Sequence, residues 1–173
     1  KFALSTDTLG SKSVAIGTGA LFTQNFTTAT ESNNTAVGHN AGVTVTTGAG
    51  NTFIGSLAGD GTDNGLNNTA VGYLALSVNC GNDNVAVGHA ALDVCTGGLN
   101  TAIGVNAGGS VTSGGSNIFV GVNSGVGQID TGSNQLFIAR NGSAGGNDGA
   151  FLYGNSSGQL QNGDNNANFI TTS

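Results

Sequence analysis

Three-residue, largely apolar phrases, each entered by a polar residue and closed by a small one, recur along the chain with longer polar stretches between them. They read SVAIG (13–17), NTAVG (34–38), NTFIG (51–55), NTAVG (68–72), NVAVG (84–88), NTAIG (100–104) and NIFVG (117–121), and a degenerate copy, QLFIA, follows at 135–139. β-Branched residues dominate the phrases, and glycine is too dense around them for a period of 3.6 to survive, so each predicts a short β-strand. The closing glycines Gly17, Gly38, Gly55, Gly72, Gly88, Gly104 and Gly121 are 21, 17, 17, 16, 16 and 17 residues apart. A second phrase follows each at fixed phase: Ala20-Leu21, Ala41-Gly42, Ala58-Gly59, Ala75-Leu76, Ala91-Leu92, Ala107-Gly108 and Ser124-Gly125. The polar, Gly-rich and Asn-rich remainder of each unit predicts turns.

A unit of about 17 residues is too short for a domain and shorter than the helical repeats of 33 residues or more. It suits one coil of a parallel β-solenoid, in which coils stack at a strand spacing of about 4.8 Å, so that eight coils make a rod of about 40 Å. The predicted fold is therefore all-β, a parallel β-solenoid (β-roll or β-helix) over residues 13–139. Residues 1–12, with Phe2 and Leu4, are expected as an N-terminal cap or lead-in strand, and residues 140–173, where the phase is lost, as a C-terminal cap or the start of a further module. The first coil is longer than the rest, and its FTQNFTTATE segment (22–31) is the least repeat-like surface and a candidate contact site.

Side chains alternate across a strand, so the first and third apolar positions share one side and the middle Ala or Phe takes the other. Both sides avoid charge, whereas a solitary solenoid would show one apolar and one polar face. The expectation is that one ladder fills the coil while the other, the close-packing Ala/Phe column, meets a neighbouring chain. This predicts a homo-oligomer, with a trimer, intertwined or side by side, as the favoured form. The alternative is a flattened solenoid whose own turns cover both faces.

Composition narrows the partners. Of 173 residues only 7% are charged, the net charge is −6, and Lys1, Lys12 and Arg140 are the whole basic complement, which leaves no footprint for nucleic acid. No apolar run is long enough to insert in a bilayer and no N-terminal stretch reads as a signal peptide, so a soluble chain is expected. It begins at Lys1 rather than Met, as a processed product or a fragment would.

Candidate chemistry is sparse. Cys80 and Cys95 stand 15 residues apart, close to one coil, so adjacent coils would place them within reach of a disulfide, with two buried free thiols as the alternative. A bridge would imply an oxidising, extracellular setting. His39 and His89 share the position after the motif glycine with Thr, Ser, Tyr and Val, which reads as tolerant surface rather than a metal site. The aspartates Asp60, Asp63, Asp83, Asp93, Asp130, Asp148 and Asp164 lie mostly in Gly/Asn turns that meet no calcium-loop pattern. With a single Glu and no nucleophile, base and orienting acid at a recognisable spacing, no enzyme and no cofactor are expected. The column Asn34, Asn51, Asn68, Asn84, Asn100 and Asn117 is in register and predicts a ladder of side-chain amides that bonds from coil to coil and satisfies the turns.

The SVAIG, NTAVG and NTAIG phrases with trailing Ala resemble the head repeats of trimeric autotransporter adhesins, and more closely the NTAVGxxAL repeats of phage and viral tail-fibre proteins, over residues 13–139. The period departs from the adhesin head unit, which is shorter. The resemblance implies trimeric, solenoid-like fibres that contact host surfaces, matrix or glycans. The expected function is therefore a structural fibre or adhesin segment, extracellular or virion-associated, presenting a face to a cell-surface glycan or protein receptor. A self-assembling extracellular filament subunit is the alternative. Ice binding through the Thr35, Thr52, Thr69 and Thr101 column ranks third, because Val85 and Ile118 interrupt it.

Overall fold

A computed structural model describes residues 2–127, 131–141, 150–154 and 160–161. Every sequence phrase is a strand. In chain order they are β1 (Gly10–Ser11), β2 (Val14–Ile16), β3 (Thr30–Glu31), β4 (Thr35–Val37), β5 (Thr52–Ile54), β6 (Thr69–Val71), β7 (Val85–Val87), β8 (Thr101–Ile103), β9 (Ile118–Val122), β10 (Leu136–Asn141), β11 (Ala150–Gly154) and β12 (Leu160–Gln161). Strands β2 and β4 to β10 stack in parallel, each on the next, and equivalent letters of each phrase pair: Thr35 with Thr52, Phe53 with Ala70, Val71 with Val87. The chain is thus an all-β parallel solenoid. The small two-stranded sheet of β1 and β3 lies at its N-terminal end.

The inside of the coil belongs to the Ala/Phe column. Ala36, Phe53, Ala70, Ala86, Ala102, Phe119 and Phe137 are buried, whereas the Val/Ile/Thr positions on either side of them point outward and are half-buried or exposed. This reverses the assignment of the Ala/Phe column to contacts between chains. The reason lies in the opposite wall of the coil, where the second phrase supplies either a core-filling Leu or a Gly.

Leu21, Leu76 and Leu92 are fully buried and fill the coil where the strand offers Ala. Where the strand offers Phe, the opposite wall is Gly, and each Phe also reaches into the coil before it. A Cβ at Gly59 would lie 2.5 Å from the Phe53 ring and one at Gly42 would lie 2.8 Å from it. Gly108 and Gly125 stand in the same relation to Phe119. The whole column has positive φ, from 48° at Leu21 to 76° at Gly125, so the three leucines hold a left-handed conformation that branched residues avoid. Burying a leucine side chain stabilises by about 1.5–3 kcal/mol, which offsets a backbone cost of roughly 1–2 kcal/mol.

The motif glycines turn the chain out of each strand with φ between 116° and 148°, and they stack closely: a Cβ at Gly72 would lie 2.5 Å from the carbonyl oxygen of Gly88. The eighth phrase carries Ala139 at this phase. Ala139 has no positive φ, so the strand does not turn; β10 runs on to Asn141, its register on β9 shifting after Ile138. The chain then returns antiparallel, β11 on β10 and β12 on β11. The parallel stack ends at the phrase that lacks the glycine. Most of the C-terminal segment beyond Asn141, including Asp148 and Asp164, lies outside the described residues.

Candidate functional site

Two aligned columns of the sheet, one residue either side of the buried Ala/Phe column, form its outward face. Ile16 is 59% exposed, Ile54 40% and Ile103 46%, and the threonines Thr35, Thr52, Thr69 and Thr101 stand partly exposed in the flanking column. Beyond the motif glycine a third column continues with His39, Ser56, Tyr73, His89, Val105 and Val122. There the Tyr73 and His89 rings stack coil on coil, with centroids 5.6 Å apart and planes 8° from parallel. No Asp, Glu, Lys or Arg occupies these columns from Val14 to Ile138, and Arg140 takes the third-column phase on the last parallel strand. The face is periodic, repeating with each coil, and from Val14 to Val122 carries none of these four residue types.

Behind the sheet the six asparagines are fully buried. Each Oδ1 accepts the backbone N–H at the same phase of the next coil, from Asn51 N–H to Asn34 (2.8 Å) through Asn117 N–H to Asn100 (3.0 Å) and Gln135 N–H to Asn117 (2.9 Å). Each Nδ2 donates to a turn carbonyl, as Asn34 does to Gly48 (2.7 Å) and Asn100 to Gly114 (2.9 Å). The ladder is thus mainly side chain to backbone; between two of its six asparagines a direct amide-to-amide bond runs from Asn84 Nδ2 to Asn68 Oδ1 (3.1 Å).

At its N-terminal end the ladder closes on residues that the repeat does not contain. Ser13 replaces Asn, and the fully buried Gln24 accepts from Asn34 Nδ2 (2.8 Å) while donating to Asp7 and Ser13. Gln24 and the buried Phe26 come from the extended first coil. That segment is therefore partly a structural plug rather than wholly a contact loop. Sequence reasoning missed Gln24, for which the only signal was its place in the one coil longer than its neighbours.

Residues 2–12 follow the repeat's own path instead of crossing it. Leu4 N–H bonds to the Ala20 carbonyl (2.9 Å) as Leu21 N–H bonds to Ala41 (3.0 Å), and Leu4 shares the φ of 48°. They cover the turn side of the first coil and leave β2 the edge strand of its sheet. Beside them Phe2, Thr18, Phe22, Asn40 and Val43 line an open apolar recess of about 250 Å³.

Cys80 and Cys95 are free, buried thiols, not the bridge expected from their spacing. Cys80 Sγ lies 3.2 Å from Thr62 Oγ1, on the N-terminal side, while Asn100 Nδ2 donates to Cys95 Sγ at 3.4 Å, on the C-terminal side. Their positions after the motif glycine differ by one residue, which leaves each sulfur with a partner in a different coil. Burial raises both thiol pKa values; that of Cys95 is pushed up to about 11, with Cys80 adding to the effect. Such thiols are poor nucleophiles.

Asp60 and Asp93 occupy equivalent turn positions, each with one buried carboxylate oxygen that has no hydrogen-bond partner. Desolvation raises both pKa values, against backbone hydrogen bonds and, for Asp93, the charge of His89. Among the described residues no three His, Cys, Asp or Glu side chains converge as a metal site, and no helix is long and apolar enough to cross a membrane. Comparison of the chain with protein families, curated proteins and solved structures finds no match.

Proposed function

We propose that this chain is a rigid, fibre-forming segment of an extracellular or virion-associated protein, a homo-oligomer with three copies as the favoured number, whose rod carries a surface that contacts a host glycan or protein. The observation that carries this reading is the unbroken, in-register parallel stack from β2 to β10. Its cross-linking asparagines and close glycine contacts favour stiffness and fixed length over a reaction cavity. The likeness of the NTAVG phrases to tail-fibre and adhesin head repeats points the same way.

The filament alternative requires coil-on-coil growth at both ends, and the antiparallel β11 lying on β10 weighs against it at the C-terminal end. Negative-stain imaging with solution mass tests the reading. Discrete short rods of fixed stoichiometry are expected, followed by retention on a glycan or cell-surface array. Filaments of variable length would replace this reading with assembly as the function.

A further inference from the structure

We infer that the outward Thr/Val/Ile face of the sheet is where copies of this chain meet, so that the oligomer is held by the columns flanking the buried Ala/Phe column and not by that column itself. This rests on the homo-oligomeric reading above, though not on its favoured number of three, and specifies the contact between two copies. Three observations select the face and its occupant. From Val14 to Val122 it is built mainly of Val, Ile and Thr and lacks Asp, Glu, Lys and Arg, in a protein of net charge −6, so copies approach there without facing like charges.

Second, the area is sufficient. The seven strands β2 and β4 to β9, at about 4.8 Å and a width of five residues at about 3.3 Å, give roughly 550 Å² per chain. Two such faces together bury about 1,100 Å², above the roughly 1,000 Å² that a specific interface should clear.

Third, the face is a periodic ladder, its rungs set by the in-register pairing of each phrase with the next. A second copy carries the same rung spacing, so ridges of Val and Ile on one can seat between rungs of the other over the whole length, as facing sheets do at about 10 Å. A partner without that period would match only locally.

The experiment is native mass spectrometry and sedimentation of the wild-type chain and of Val71→Lys/Val87→Lys, with Val94→Lys in the turn as control and circular dichroism as the check of fold. A multimer is expected for wild type and for Val94→Lys, and a weakening of association by about tenfold or more in the doubly charged variant. A folded Val71→Lys/Val87→Lys that keeps the wild-type mass overturns the interface while leaving the fibre reading intact. A monomeric wild-type chain at every concentration overturns both the interface and the oligomeric part of that reading.

Should the lysine variant not fold, Ile54→Cys and Val94→Cys treated with a bifunctional maleimide decide the matter. Cys80 and Cys95 are buried, so the introduced thiol is the reactive one. Covalent multimers from Ile54→Cys but not from Val94→Cys support the interface; the reverse pattern overturns it.

Discussion

Phe53 occupies the space that Gly59 leaves empty across the coil, its ring 2.5 Å from where a Cβ on that glycine would stand. The pair is a volume exchange, since the neighbouring coil holds Ala70 opposite Leu76 at the same two positions. Gly59→Leu alone is expected to lower stability by about 1–3 kcal/mol through overpacking, and Phe53→Ala alone by about 3–5 kcal/mol through a cavity. Because Leu76 already adopts φ 50° at this phase, the double variant should recover at least about 1 kcal/mol over the sum of the two. Urea denaturation of all four chains measures the coupling; strict additivity would refute the exchange.

Asn84 supplies two bonds that no apolar residue can replace, accepting from Asn100 N–H (3.0 Å) and donating to Gly97 (3.0 Å). Asn84→Leu leaves the buried Asn100 N–H unpaired, at about 1–3 kcal/mol, while the Gly97 carbonyl keeps the Gly81 N–H (3.1 Å). A thermal melt should therefore shift down by several degrees, at about 2–4 °C per kcal/mol for a chain of this size. An unchanged melt would remove the ladder from the account.

Gly72→Ala tests the turn out of the strand. It places a Cβ 2.5 Å from the Gly88 carbonyl at a φ of 137°, which a side-chain-bearing residue rarely adopts. The expected loss is about 3 kcal/mol or more, read by denaturation, with the parallel stack opening at that coil. An exposed substitution such as Asn64→Ala in the preceding coil should change stability by less than about 0.5 kcal/mol.

The thiols give the fold an alkaline limit. Below about pH 8.5, the ordinary cysteine pKa, both folded and unfolded chains hold the Cys95 proton, so its burial adds no pH dependence. Above it the unfolded chain ionises while the folded thiol, at about 11, does not, so stability falls as pH rises through that window and levels off beyond it. Melting temperatures between pH 8 and 11 should decline more steeply in wild type than in Cys95→Ala. Parallel slopes would contradict the shift.

Asp60 and Asp93 work in the opposite range. Each is destabilised as a carboxylate by burial, so the folded chain takes up the proton more readily than the unfolded one and this contribution to stability grows as pH falls through the raised pKa. Asp93→Asn removes the charge and keeps the shape, and its melt at neutral pH should rise above that of wild type. A lower melt would mean that the carboxylate is stabilised where it stands.

The strands, the period and the asparagine register could be read from the sequence because each is a local pattern repeated many times. Which side of the strand faces the core could not be read from alternation alone. Thr35 and Val37 share a side opposite Ala36, and period two separates the sides without naming the inner one. The information was present one phrase later, in the pairing of Phe53 with Gly59 and of Ala70 with Leu76, a correlation across the coil rather than along it. Gln24 and Leu4 were harder. Gln24 completes the ladder from an irregular coil, and Leu4 belongs to a coil recognisable only by its distance of 17 residues from Leu21. Of the two states that the spacing of Cys80 and Cys95 leaves open, the structure has the free thiols, each sulfur with a partner other than its neighbour.

Ala139 makes the length of the rod a digital quantity. Each complete phrase ending in glycine adds one increment of about 4.8 Å, and the first phrase that ends otherwise stops the count. Gain or loss of a whole phrase would lengthen or shorten the reach of the rod in fixed steps while leaving Gln24 at one end and Ala139 at the other untouched. Reach can then evolve independently of the two ends, without any residue in the remaining coils having to change.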